Sequence, residues 1–70
     1  MKYSLKNIIE CILLVSDEPL SSSQIIKIIS DKKHTKKDIA NAINELNNDY
    51  QNKAIHICEV ASGYRFQAKD

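Results

Sequence analysis

The first part of the chain carries its apolar residues at helical spacing. When successive residues of Ser4–Ser16 are placed about 100° apart, most of the apolar side chains fall in a stripe about 200° wide. A helix that faces one small core needs a stripe only modestly wider than about 100°. Leu14 falls outside even this wide stripe, between Asn7 and Glu10 on the polar side. The pattern therefore predicts a first helix with more apolar surface than one core can cover.

A second helix is indicated by its start signal. Pro19 ends the first helix, because proline disfavours the α conformation at the residue before it. Ser21 is followed three residues later by Gln24, which is the spacing of a capping box. The isoleucine-rich run behind this cap predicts a short apolar helix that ends near Ser30.

The third helix has a similar start and one regular stripe. Thr35 and Asp38 repeat the cap spacing immediately before and inside the run Lys36–Asn52. The apolar residues of this run recur at helical spacing and are Ile39, Ile43, Leu46 and Tyr50. They predict a helix with a single core-facing side.

The C-terminal part changes to strand periodicity. The runs Ala54–Val60 and Tyr64–Ala68 alternate, and the aromatic residues of the second run share one face that would close over the third helix. Ser62 and Gly63 between them predict a hairpin turn, since glycine accepts a positive φ. Val60 breaks the alternation of the first run, which predicts a bulge at the preceding residue, Glu59.

Three helices followed by one hairpin, or wing, is the order of a winged helix-turn-helix, an α+β fold that is mainly α. Residues 1–70 fit one such domain. A domain this small buries only about 60% of the surface of its unfolded chain, so a partner chain is a common source of extra stability. The net charge of +1 gives no strong field for nucleic acid or a membrane, and no apolar run reaches the roughly 18 residues of a membrane span.

Cysteine and histidine spacing gives little support for a metal site. The candidate ligands are Cys11, His34, His56 and Cys58. Only the last two are close in sequence, whereas zinc modules present paired ligands such as C-x₂-C. Without a disulfide pattern or a signal peptide, both thiols are expected to be reduced in the cytoplasm. We expect no metal and no cofactor.

Catalysis is not expected either. The single glycine leaves no phosphate-cradling loop, and the sequence suggests no arrangement of Ser, His and an acid. A domain of this size also has little room for a pocket that excludes water. We therefore predict no catalytic residue.

One lysine cluster precedes and opens the third helix and consists of Lys32, Lys33, Lys36 and Lys37. A helix-turn-helix protein holds phosphate at such a place, although a cluster of this kind is more often a solvated loop. The third helix has two lysines against three acidic residues and no arginine, the residue that most often reads guanine. We expect at most weak, non-specific contact with DNA.

Two blocks of the chain also resemble a known family. The resemblance is carried by Ile8–Glu10, Leu13–Ser21, Asn44–Tyr50, Ile55, Val60 and Gly63–Gln67. In order and spacing they are similar to the N-terminal winged helix of the bacterial segregation and condensation protein B family. Ser62-Gly63 stands where that family usually has Gly-Gly. The family's second winged helix has no counterpart here, so the chain resembles an N-terminal half.

The resemblance implies a non-catalytic function. Family members dimerise and bind a kleisin subunit, segregation and condensation protein A, mostly through the second domain and linker. Together they act on the nucleoid with a structural-maintenance-of-chromosomes ATPase to compact and partition the chromosome. This half is then expected chiefly to form a homodimer, through Cys11, Leu14 and Val15 at the edge of the wide stripe. The alternative is a small winged-helix transcriptional regulator whose DNA binding depends on the lysine cluster.

Overall fold

Three α-helices precede one β-hairpin in the computed structural model, which describes residues 3–30 and 33–70. The elements are α1 (Leu5–Val15), α2 (Ser22–Ile29), α3 (Lys36–Asp49), β1 (Ile55–Val60) and β2 (Gly63–Ala68). This order confirms the mainly α fold with a C-terminal wing that the sequence predicts.

Side-chain caps determine where α2 and α3 begin. The Ser21 hydroxyl accepts from the Gln24 N–H at 3.1 Å, and the Gln24 side-chain oxygen accepts from the Ser21 N–H at 2.8 Å. Thr35 and Asp38 form the same reciprocal pair at 3.2 and 2.9 Å. Each pair satisfies two backbone donors that a helix start leaves free. Both starts were predicted correctly because the capping residues are close in sequence.

The end of α3 differs from the prediction. The helix ends at Asp49 rather than Asn52, and Tyr50 leaves the helical conformation with φ −92° and ψ 11°. The Nζ of Lys69 donates to the carbonyl oxygens of Tyr50 and Gln51 at 2.8 and 3.0 Å. The Tyr50 carbonyl also accepts from the Lys53 N–H at 3.0 Å, and a cation near this end interacts favourably with the negative end of the helix dipole. The contact of Lys69 comes from the far end of the chain, so local sequence did not reveal it.

All three helices and the hairpin contribute to one apolar core. Its most enclosed side chains belong to Ile9, Ile25, Ile39 and Leu46. Ile57 brings β1 into the same cluster, and the partly buried Tyr64 and Phe66 pack against it from β2. The rings of Phe66 and Tyr50 lie 5.2 Å apart between centroids, a tilted arrangement that aromatic pairs favour. The inward packing expected of the wing is confirmed.

The hairpin has one unbroken register, so the predicted bulge at Glu59 is wrong. The Cα partners run without a skipped residue from Ile55 and Ala68 to Val60 and Gly63. Glu59 lies on the same strand face as the core residue of β1, yet it is exposed. It is one residue pair away from the turn end of the hairpin, where Val60 pairs with Gly63, and its exposed polar side chain needs no change of register.

The wing turn lies one residue earlier than expected, and a glycine is needed beside it for a reason other than the turn. The turn consists of Ala61 and Ser62, while Gly63 is the first residue of β2. Its φ is positive, at 143°, as predicted. A Cβ on Gly63 would lie 2.3 Å from the carbonyl carbon of Leu20 and 2.5 Å from its oxygen. The connection between α1 and α2 thus passes too close for any side chain.

Both edges of the hairpin are tied to the helical part of the domain. On β2, Leu20 and Tyr64 exchange backbone hydrogen bonds of 3.0 and 2.8 Å. On β1, the Ile57 N–H donates to Asn47 Oδ1 at 2.8 Å, and Asn47 Nδ2 donates to the Ile57 carbonyl at 3.0 Å. These bonds satisfy strand groups that would otherwise need a neighbouring strand. They fix the position of the wing.

Candidate functional site

One face of α1 presents apolar side chains that the core does not take up. Ile8, Cys11, Ile12 and Val15 lie at positions i, i+3, i+4 and i+7 and form what we call the α1 strip. Ile8 and Ile12 are half-buried, Cys11 is exposed and Val15 is 81% exposed. Leu14 lies beside the strip and is 52% exposed. The three residues predicted for an interface therefore all lie on the surface of one helix.

A shallow groove of about 430 Å³ lies beside the α1 strip. It is lined by Tyr3, Asn7, Ile8, Glu10, Cys11 and Ile12. Tyr3, which precedes the helix, is 70% exposed and extends the apolar surface toward the N-terminal side. The surface around the strip is therefore concave enough to receive a partner's side chain.

Polar contacts hold a different side of α1 against α3. The Lys6 Nζ lies 2.8 Å from Asp49 Oδ2, and the Tyr50 hydroxyl donates to the Glu10 carboxylate. The hydrogen bond to Glu10, followed by burial, raises the pKa of Tyr50 to about 12. The bond to Asp49 raises the pKa of Lys6. These contacts and the buried Ile9 fix the rotation of α1, so the strip faces away from α3.

The lysine cluster lies at the start of α3, as the sequence indicated. Its exposed members are Lys33, Lys36 and Lys37. Lys32 lies outside the described residues. Asp38 accepts the Thr35 N–H, so an intramolecular carboxylate already occupies a donor that a phosphate would otherwise meet. The helix itself carries a net charge of −1 over Lys36–Asp49. This balance is unfavourable for tight DNA binding.

A wider groove of about 790 Å³ separates the starts of α1 and α3. Ser4, His34 and Asp38 all line it, a combination that the sequence did not reveal. The Ser4 hydroxyl accepts the Asn7 N–H at 3.2 Å, and the Asp38 carboxylate accepts the Thr35 N–H at 2.9 Å. Both side chains thus act as helix caps, a structural role.

Cysteine and histidine side chains meet on the outer face of the wing. The Sγ of Cys58 lies 3.1 Å from Nε2 of His56, whereas Cys11 lies on α1. Within residues 3–30 and 33–70, no group of three or more His, Cys, Asp or Glu side chains could hold a metal ion. No helix of these two ranges has the length and apolar character needed to cross a membrane.

The contact of Asn47 with the wing was not predicted from the sequence. Asn47 follows Ile43 by one helical turn, so it lies at the edge of the apolar stripe of α3. In the sequence, the signal for this contact was a polar side chain at the edge of the apolar stripe. Its partner, Ile57, is ten residues away in sequence, and no local rule links the two.

Comparison of the sequence with known protein families identifies the family of this chain. A family model described as "Segregation and condensation complex subunit ScpB" matches residues 7–70. The chain belongs to this family. The match spans both blocks on which the resemblance rests, from the N-terminal half of α1 through the wing, and it confirms that resemblance.

One curated relative carries the name of this family, and one solved structure is similar in fold. A curated protein of Coxiella burnetii (strain RSA 493 / Nine Mile phase I), "Segregation and condensation protein B homolog", is 37% identical over 65 residues. The match covers 91% of this chain and 31% of the relative. A crystal structure of a conserved hypothetical protein from Chlorobium tepidum matches with a TM-score of 0.83 and 30% identity. This match covers 93% of this chain and 41% of that chain, so this chain spans less than half of either relative's length.

Proposed function

We propose that this chain is a non-catalytic, self-associating subunit of a bacterial chromosome segregation and condensation complex. It acts in the cytoplasm, on the nucleoid, with a kleisin subunit and through it with a structural-maintenance-of-chromosomes ATPase. Residues 1–70 supply one winged-helix domain to this assembly. Family membership supports the complex. The observation that supports self-association is the partly exposed α1 strip with the exposed Leu14 beside it.

The physical argument rests on apolar surface held in a fixed orientation. Leu14 and Val15 expose most of their side chains although α1 is anchored to the core by Ile9 and Leu13. Full burial of a leucine or valine side chain contributes about 1.5–3 kcal/mol. Homodimers usually meet across a two-fold axis, so a second α1 strip offers a matching surface. Because the helix has only 11 residues, we expect the isolated domain to associate in the micromolar range.

A matched pair of variants tests where the copies meet. Leu14 on α1 and Ile28 on α2 have nearly the same exposure, 52% and 54%. We expect Leu14→Glu to give a folded monomer, because the new carboxylate would have to be desolvated in the interface. Ile28→Glu should leave the dimer intact. Light scattering coupled to size-exclusion chromatography measures both masses. If Leu14→Glu stays dimeric, the interface is not on α1; if Ile28→Glu also becomes monomeric, the interface is not confined to α1.

The role in the complex is tested by complementation. The same two substitutions are introduced into the chromosomal gene, and nucleoids are counted by fluorescence microscopy. We expect Leu14→Glu to increase the fraction of cells without a nucleoid, and Ile28→Glu to behave as wild type at equal protein level. Normal segregation after deletion of the gene would contradict the proposed function.

A further inference from the structure

The outer face of the wing carries a cysteine, a histidine and an arginine at neighbouring positions of the hairpin. His56 and Cys58 are two residues apart on β1, so their side chains share a face, and Cys58 Sγ lies 3.1 Å from His56 Nε2. Arg65 is the residue of β2 directly opposite Cys58. Side chains of directly opposite residues start about 4.5–5.5 Å apart at Cβ. Cys58 is half-buried and Arg65 is exposed, so a small molecule can reach this face.

The second cysteine has a different environment. Cys11 is exposed on α1, between apolar residues of the α1 strip and next to Glu10. Within residues 3–30 and 33–70, its thiol makes no hydrogen bond. Exposure alone predicts that Cys11 reacts faster than Cys58. Thiol reactivity also depends on a base to take the proton and on nearby positive charge, which favour Cys58.

We propose that Cys58 is a modification site for small disulfides that carry carboxylates, the chemical class of glutathione disulfide. In the reaction, the Cys58 thiol gives its proton to His56 Nε2 and its sulfur attacks one sulfur of the disulfide. The new S–S bond to Cys58 forms as the S–S bond of the reagent breaks. The other half leaves as a thiolate and takes the proton from His56. Arg65 attracts the carboxylates of the reagent.

The proposal reverses the order of reactivity that exposure predicts, which makes it testable. Two single-thiol proteins are prepared, Cys11→Ser and Cys58→Ser. Each is mixed at neutral pH with 5,5′-dithiobis(2-nitrobenzoic acid), an anionic disulfide, and with 4,4′-dithiodipyridine, a neutral one. We expect the protein that retains Cys58 to react at least about threefold faster with the anionic reagent. Equal rates, or faster reaction of Cys11, would overturn the proposal.

Two further variants separate the roles of the neighbours in the protein that retains Cys58. His56→Gln should slow both reagents, because the proton acceptor is lost. Arg65→Gln should slow mainly the anionic reagent and so lower the ratio of the two rates. A purely structural effect would not change that ratio. An unchanged rate in His56→Gln, with an unchanged melting temperature, would contradict the assigned role of the imidazole.

Association through α1 would also slow Cys11, for an unrelated reason. The rates are therefore measured again with Leu14→Glu added to both single-thiol proteins. If Cys58 remains the faster thiol in this background, the inference holds whatever the oligomeric state. Mass spectrometry after incubation of wild type with glutathione disulfide then locates the adduct. We expect it on Cys58, and an adduct found on Cys11 alone would refute the proposal.

Discussion

Replacement of Asn47 by alanine tests how the wing is held. The change removes two hydrogen bonds, of 2.8 and 3.0 Å, between the Asn47 amide and the backbone of Ile57. Each contributes about 0.5–1.5 kcal/mol net, and a strand group left without a partner adds to the cost. Alanine is the better helix former by up to about 0.7 kcal/mol. We therefore expect a net loss of about 1.5 kcal/mol in the free energy of unfolding.

A neighbouring asparagine of the same helix provides the control. Asn44 is exposed, so Asn44→Ala reports the helix propensity alone and should be neutral or slightly stabilising. Urea unfolding followed by circular dichroism gives both values. In a domain of this size, a loss of 1 kcal/mol lowers the melting temperature by about 4–8 °C. If Asn47→Ala and Asn44→Ala unfold with the same free energy, the amide does not hold β1.

Three other results are expected. Phe66→Ala should cost about 3 kcal/mol, at the low end for this change because the ring is only partly buried against Tyr50, and an unchanged thermal midpoint would exclude the wing from the core. In a protein with Tyr3 and Tyr64 replaced by Phe, phenolate absorbance should show Tyr50 ionising near its raised pKa of about 12, and Glu10→Gln should lower that pKa. The pKa of Tyr50 lies above its usual value of about 10, so the hydrogen bond to Glu10 stabilises the fold fully below pH 10. This stabilisation is lost as the pH rises toward 12. Ionisation of Tyr50 near pH 10 would contradict the hydrogen bond to Glu10. Duplex DNA should bind no more tightly than about 10⁻⁶ M at physiological salt, so sub-micromolar, sequence-dependent binding in fluorescence anisotropy would favour a transcriptional regulator.

The elements that were predicted correctly depend on contacts between residues close in sequence. The capping boxes at Ser21 and Thr35 lie within four residues, and the helical stripes show which sides are buried. The end of α3 was not predicted, and one of its contacts, from Lys69, comes from the other end of the chain, where no local pattern reveals it. The bulge was wrong because a polar residue on the core-facing side of a strand does not require an extra residue, and Glu59 is simply exposed one pair before the turn.

The same distinction between local and long-range contacts applies to the candidate site. The excess width of the apolar stripe on α1 predicted that Leu14 and Val15 would be exposed, since a helix cannot turn all of its sides toward one core. The wing glycine was recognised as special, but its constraint is the backbone of Leu20, which approaches from the connection between α1 and α2. The meeting of Asn47 with Ile57 is likewise a product of packing. Neither the approach of Leu20 to Gly63 nor the contact of Asn47 with Ile57 is encoded in a local sequence pattern.

Sedimentation equilibrium of the wild-type chain at tens of micromolar tests the central claim most directly. We predict a mass near twice the 8.0 kDa of one chain, which falls toward 8.0 kDa on dilution. Leu14→Glu should sediment as a single chain at the same concentration. A wild-type mass near 8.0 kDa at tens of micromolar would contradict self-association through the α1 strip.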